Sequence, residues 1–387
     1  MKNHISTSTT FLILPLGLFS QELSITTFVG QFSVLQLFLF IVALIIVSVL
    51  IRIITIFPIG PFLKGYRTLG NTDLNEFVDR LVDTYEKKQY AAGITHYYSI
   101  MGNFITAGKG KYWHFTPMWG QSRYEDAINL LHERFVRELR IDSDMKVMEI
   151  GCGYGKNVRW LAENTKADIH GITLSPLEVR HIQEFKKNDT IQNYSVSQGD
   201  YHNMFRIPDN SFDKVIAIYS IKYSNNLEKV FSEIKRILKP GGQFLSYEIL
   251  TTDKYEITNP IHEKLVENIC KSTSMPPLYL VSDFISTAKS VGFKLYLDED
   301  ISQYPQDVRN LDKGTWWQHF LKDGSYQLLS SKAVAGAVSI AEKIRVLKPG
   351  FRKFFDYCLV HPTTDFVKAG RLGIVTGSRI MIFQKPE

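Results

Sequence analysis

The sequence predicts an α/β fold built on a doubly wound, mostly parallel sheet, and two observations carry that expectation. Met145 to Lys156 reads MKVMEIGCGYGK: an apolar strand through Val147 and Ile150 runs into Gly151, Gly153 and Gly155 at every second position, and a helix-like segment follows. Downstream, apolar runs of strand length alternate with helix-patterned segments as far as Glu248, the rhythm of right-handed crossovers between parallel strands. Sheets of this kind bind ligands at the carboxyl ends of their strands.

In chain order, residues 1–33 form an N-terminal segment, and no charge occurs from Leu23 to Ile51. Val34 to Ile51 (VLQLFLFIVALIIVSVLI) is almost continuously apolar, close to the ~20 residues a helix needs to cross a bilayer. A transmembrane helix is expected over 34–57. Arg52, Lys64 and Arg67 on its C-terminal side put the catalytic body in the cytosol by the positive-inside rule, with the endoplasmic reticulum the expected membrane. Phe11 to Phe19 has the apolarity of a signal peptide, but Pro15 interrupts it and no small-x-small cleavage site follows.

Pro58, Gly60, Pro61 and Gly65 read as a hinge, and Asp73 to Tyr90 as an amphipathic helix, so 58–89 is the second segment. Tyr90 to Gly120 is rich in aromatic residues and glycine, and is expected as an irregular lid or pocket wall rather than a long helix. Tyr124 to Leu139 restores helical spacing. Asn157 to Thr165 is the next helix, Ala167 to Thr173 a strand, and Pro176 to Lys187 a helix that Ser175 can cap. Tyr194 to Gly199 and Phe212 to Tyr219 read as strands, Leu227 to Leu238 as a helix stopped by LKPGG, and Gly242 to Glu248 as the last parallel strand. The main domain is therefore 90–250. In 251–387, Val281 to Ser290, Gly292 to Leu297, Lys332 to Phe355 and Ile374 to Phe383 suggest an α+β extension ending in a strand.

Composition narrows the function. The net charge of +6 is spread out and suits a membrane surface as well as anything, so nucleic acid is not called for. The three cysteines, Cys152, Cys270 and Cys358, show no disulfide or metal-ligand spacing, and Cys152 reads as a space-filler in the glycine turn. No metal site is expected.

The G-x-G-x-G spacing behind the acidic Glu149 departs from the G-x-G-x-x-G of dinucleotide enzymes and favours S-adenosylmethionine over a nicotinamide cofactor. Gly151, Gly153 and Gly155 would admit its amino-acid tail to the backbone, aided by the helix N-terminus that follows. The end of the second strand offers Thr173 and Ser175 where an acid commonly meets the ribose, so these hydroxyls or Glu178 must serve. Asp200, followed by Tyr201, is placed for the adenine amine; its structural alternative is a helix cap.

Several segments resemble the sterol C-methyltransferase family in consecutive order: MEIGCGYG, GDYHNMFRIPDNSFDKV, RILKPGGQFLSYE, TDKYEITNPIHEK and AGRLGIVTGSRIMIFQKPE. Upstream, GKGKYWHF resembles that family's aromatic substrate-side segment, and His132 with Glu133 sits where its His-Glu pair precedes the first strand. The resemblance covers about residues 90–387. It implies a Rossmann-like S-adenosylmethionine-dependent methyltransferase sheet with a C-terminal substrate-binding extension, acting on a carbon of a membrane-borne sterol. Family members that alkylate C-24 carry Glu-Ala-Thr-Cys-His-Ala-Pro after the fourth strand, whereas this chain has Tyr219, Ser220, Ile221, Lys222, Tyr223 and Ser224; the Trp of their Gly-Trp-Gly is Lys109. These departures favour the nematode-type branch, which methylates C-4 of the A ring.

The two chemistries make different demands. C-24 alkylation generates a carbocation that acids and aromatic faces stabilise. C-4 methylation of a 3-keto sterol requires a base for the proton beside the carbonyl and a donor for the enolate oxygen. His114, Tyr98, Tyr219, His202 and Glu248 are the candidate acid/base and orienting groups, Tyr219 also being a candidate cofactor contact; Trp316 and Trp317 read as pocket wall or core. GITLSPLEV also resembles the cyclopropane fatty-acid synthases, which leaves a lipid-modifying relative as an alternative, and an inactive sterol or nucleotide binder as another. Oligomeric state is not readable from the sequence.

Overall fold

The computed structural model describes residues 59–109, 114–302, 314–322 and 325–387, with isolated positions between 33 and 44. Most of the span expected to cross a membrane therefore lies outside the described residues, and among those described no helix is long and apolar enough to cross one. The chain from Phe57 to Glu387 forms one unit.

Its centre is a seven-stranded sheet made of β1 (Lys146–Ile150), β2 (Asp168–Thr173), β3 (Tyr194–Gln198), β4 (Phe212–Ile218), β5 (Leu238–Thr251), β6 (Lys294–Asp300) and β7 (Val375–Gln384). The spatial order is β3-β2-β1-β4-β5-β7-β6. The first five strands are parallel, with Val147 opposite Ile169 on one side and opposite Lys214 on the other. β7 runs antiparallel between β5 and β6. Strand order reverses between β1 and β4, so a crevice opens there at the carboxyl ends.

The helices cover both faces because each carries one apolar stripe. On one face, Leu131, Phe135 and Leu139 of the helix Tyr124–Leu139 pack with Leu161, Ile182 and Ile216. On the other, Val230, Phe231 and Ile234 of the helix Leu227–Ile237 pack with Val215, Phe284 and Phe383. Each fully buried Leu or Phe contributes about 1.5–3 kcal/mol. Trp316 and Trp317 are core residues of the first cluster.

The segment expected to be irregular is largely a helix, Tyr90–Lys109. Its glycines are consistent with close packing rather than with a loop: a Cβ on Gly93 would lie 2.9 Å from Thr84 Oγ1, on the neighbouring helix Leu74–Glu86. Tyr97, Met101 and Phe104 then join Phe77, Leu81 and Phe354 in a third cluster. Asp73 starts the helix Leu74–Glu86 by accepting hydrogen bonds from the amides of Asn75 and Glu76 at 2.9 and 3.0 Å.

Two further boundaries differ from expectation. The helix before β5 ends at Ile237, and LKPGG already lies in the strand, where Gly242 accepts a hydrogen bond from Lys385 N at 2.9 Å. The last third does more than append an extension, because its strands β6 and β7 complete the sheet. Lys332 to Phe355 resolves into the helices Lys332–Lys343 and Phe351–Phe354, the latter running into a π-helical turn, Phe355–Val360.

Candidate active site

The glycine turn after β1 uses its three glycines differently. All have positive φ: 69° at Gly151, 52° at Gly153 and 70° at Gly155. A Cβ on Gly151 would collide with the Ser220 side chain, and one on Gly155 would press Ile182 Cδ1 at 3.0 Å. A Cβ on Gly153 would meet no described residue within 4 Å, so among the three this is the backbone a ligand can approach. Gly155 also opens the helix Lys156–Thr165, whose free amides favour an anionic group.

Beside that turn Glu149 Oε2 and both amide atoms of Asn157 are buried without a close hydrogen bond among the described residues, although the two side chains face each other. Buried groups in this state call for a partner. Burial pushes the Glu149 carboxyl up to about 8. The folded protein thus holds a proton that an unfolded carboxyl, near 4.5, has released, and stability is expected to fall as pH rises between those values. A ligand bringing positive charge to the turn should expel that proton. Calorimetry at pH 7 in buffers of different ionisation enthalpy is expected to record proton release on binding, and Glu149→Gln to remove it; a binding heat independent of buffer would place the cationic group elsewhere.

The end of β2 is organised around Glu178. Thr173 Oγ1 donates to its Oε2 at 2.5 Å, and its backbone amide is capped by Ser175 Oγ at 3.3 Å. Burial raises Glu178; Tyr98, Cys152 and Tyr154 are raised first by their own burial and further by the Glu178 charge, which places Glu178 near the glycine turn. Thr173 and Ser175 therefore position this carboxylate. Cys152 is buried and packs toward Gly171, as a small filler would.

Asp200 is half exposed, and its Oδ1 is engaged by both the amide and Nδ1 of His202 at 2.8 Å. It shapes a turn, with its second oxygen available. His202 Nε2 lies 2.8 Å from Ser224 Oγ, which ties this pair to the end of the β4 turn. Tyr201 is buried and donates to the Ser220 carbonyl at 3.1 Å.

The residues following β4 form the chemical wall of the crevice. Tyr219 adopts φ 51°, and Ile221–Tyr223 makes one 3-10 turn. Glu248, fully buried at the end of β5, holds this turn: its Oε1 accepts from the amides of Ser220 at 2.9 Å and Ile221 at 2.7 Å, and its Oε2 from Lys222 N at 3.4 Å. Ser220 Oγ donates to the Ile150 carbonyl at 2.8 Å, locking the turn to β1. Glu248, a candidate acid/base, thus has both oxygens in use as a positioning group. Lys222 is only 5% exposed, and its Nζ lies 4.3 Å from the centre of the Tyr219 ring and 5.0 Å from that of Tyr223. Burial lowers the Lys222 ammonium pKa and raises that of the Glu248 carboxyl.

Aromatic groups complete the wall. Tyr98 reaches it from the helix Tyr90–Lys109, its hydroxyl 2.8 Å from that of Tyr223. The Tyr219 ring stacks on Tyr247 at 5.6 Å and donates its hydroxyl to the Gly377 carbonyl. His114 lies edge-on to Tyr219 at 6.2 Å, and its Nε2 faces that of His132 at 3.1 Å. Burial, reinforced by the Lys222 charge, pushes His114 down to about 3, and burial likewise depresses His132. Both imidazoles are therefore neutral at physiological pH.

The contacts thus link the glycine turn through Ser220 to Glu248 and the turn after β4, Tyr98 to that turn through Tyr223, and Asp200 with His202 to it through Ser224, while Thr173 holds Glu178 at the end of β2. Sequence reasoning noted Lys222 only as a departure and passed over Asn157. The available signal for the first was a lysine embedded in the apolar-aromatic YSIKYS directly after a buried strand.

A family model described as a methyltransferase domain matches residues 148–246. The sterol 4-C-methyltransferase strm-1 of Caenorhabditis elegans is 29% identical over 84% of this chain and 97% of its own. The sterol 24-C-methyltransferase of Yarrowia lipolytica is also 29% identical, over 83% of this chain and 86% of its own. Among solved structures, the cyclopropane synthase MmaA2 from Mycobacterium tuberculosis superposes with a TM-score of 0.51 at 16% identity, over 70% of this chain and 89% of that one, a likeness of fold.

Proposed function

We propose that this chain, which belongs to the S-adenosylmethionine-dependent sterol C-methyltransferase family, transfers the methyl group to C-4 of a 3-keto sterol. When bound, S-adenosylmethionine supplies an electrophilic methyl carbon. The residues fit it: Gly153 leaves backbone open to approach, Glu149 and Asn157 carry buried polar atoms without a close hydrogen bond among the described residues, and Glu178 lies near the turn. Glu149 and Asn157 would hold the amino-acid tail, Glu178 the ribose, and Asp200 the adenine.

The observation that carries the choice of carbon is the buried amine of Lys222, on the turn that Ser220 clamps against Gly151. An amine in a low-dielectric site can take the proton lost beside a carbonyl, and the ammonium so formed favours an enolate and opposes the carbocation of C-24 alkylation. The extent of the match to the nematode enzyme supports the same reading. C-24 methylation is the second reading, supported by the equal identity to the fungal enzyme and by aromatic faces able to stabilise a cation. In either case the apolar run 34–57 would anchor the chain in the endoplasmic reticulum membrane, with the sterol arriving from the bilayer and the catalytic body in the cytosol.

Incubating the full chain with methyl-labelled cofactor and a panel of 3-keto and 3-hydroxy sterols tests this. Mass spectrometry is expected to locate the label at C-4 of a 3-keto sterol. Label on the side chain would replace this reading by the second, and label in phospholipid acyl chains would overturn both.

A further inference from the structure

We propose that Lys222 is a catalytic residue: its neutral amine removes the proton from the carbon beside the substrate carbonyl, and the resulting ammonium partners the enolate oxygen. This inference rests on the C-4 reading above. It starts from position. Lys222 lies two residues beyond Ser220, which is clamped against Gly151 and the Ile150 carbonyl, so its side chain springs from the seam between β1 and β4 where the crevice opens.

The second observation is how its amine is left. Nζ rests on the faces of Tyr219 and Tyr223 and makes no hydrogen bond to a described residue. The acid that acts on it, Glu248, is instead committed to three backbone amides of the turn. An amine in this state can turn to a substrate oxygen or hydrogen without first breaking a contact ion pair.

The neighbouring titratable groups do not compete for the role. Glu248 faces it from β5, Tyr219 and Tyr223 from its own turn, Tyr98 through Tyr223 from the helix Tyr90–Lys109, and His114 from ahead of the helix Tyr124–Leu139. The tyrosines are raised by burial and stay protonated, and His114 is too weak a base. Burial lowers the Lys222 ammonium pKa, which Glu248 partly restores, and so makes the free amine accessible.

The electrons balance without another reactant. The amine lone pair forms an N–H bond, and the C–H pair becomes the enolate. The enolate carbon then bonds the methyl group as its bond to sulfur breaks with the pair leaving on sulfur. The ammonium afterwards returns its proton to solvent.

The test separates proton removal from methyl transfer. Full-length protein saturated with S-adenosylhomocysteine, which has no methyl to give, is incubated with a 3-keto sterol in deuterated water, and deuterium at C-4 is followed by mass spectrometry. Wild type is expected to exchange above the uncatalysed rate, increasingly as pH rises through a pKa below that of free lysine. Lys222→Met and Lys222→Arg should lose exchange and methyl transfer together by about 10²–10⁴-fold, while still melting cooperatively and binding S-adenosylhomocysteine within about threefold of wild type by calorimetry. Folded variants that retain exchange would overturn the lysine assignment alone. A borohydride-stable sterol adduct on Lys222 would overturn it in favour of an imine. Wild type that methylates C-24 and exchanges nothing at C-4 would overturn the reading beneath it.

Discussion

Gly151→Ala is expected to abolish S-adenosylhomocysteine binding and to cost about 2–5 kcal/mol of stability. Two effects add: a left-handed conformation is unfavourable for alanine by about 1–2 kcal/mol, and forcing a methyl into packed structure costs about 1–3 kcal/mol. The methyl would strike Ser220, whose own bond to the Ile150 carbonyl prevents retreat. The turn that carries Lys222 would be displaced with it. Gly153→Ala is the control. It has the same sign of φ but no atom of a described residue within 4 Å of the new methyl, so it should lose only the backbone portion of stability while still weakening cofactor binding. Urea unfolding and calorimetry on both variants, and on Gly151→Ala combined with Ser220→Gly, measure this. If the double variant recovers nothing, the collision is not the cause.

Glu248→Ala should be of similar or greater severity, about 3–5 kcal/mol, with turnover falling by at least about 100-fold. Removing the carboxylate leaves the amides of Ser220, Ile221 and Lys222 without their acceptor inside the protein, and leaves the Lys222 charge uncompensated. Adding Lys222→Met should restore part of the stability and none of the activity. That pattern in a double-mutant cycle would separate the electrostatic share from the hydrogen-bonded one. Additive losses in stability would mean that the lysine and the carboxylate do not act on each other.

The parallel half of the fold was legible because its signals are local. Phe212–Ile218 reads as a buried strand from composition alone, and Ser175 with Pro176 marks a helix start that the structure reproduces at the same residues. What escaped depends on distant partners. Tyr90–Lys109 contains three glycines and many rings, and becomes helical because Thr84 and the cluster around Phe354 accept its close approach. β7 carries an ordinary strand pattern, but no local signal says that it pairs with β5 rather than ending an appendage. In the site, the glycines and Glu149 announced themselves by spacing. Glu178 needed the observation that Thr173 holds it, and Glu248 changed from acid/base candidate to positioning group once its three amides were located.

The placement of β7 also sets an order of assembly during synthesis. A nascent chain that has reached Leu372 already contains the glycine turn, the β4 turn and Lys222. It lacks the strand between β5 and β6, so both present unpaired edges. It also lacks the Gly377 carbonyl that receives the Tyr219 hydroxyl. The chemical machinery is thus translated early and completed late. Until Val375–Gln384 emerges from the ribosome, β5 and β6 keep open edges of the kind that chaperones cover.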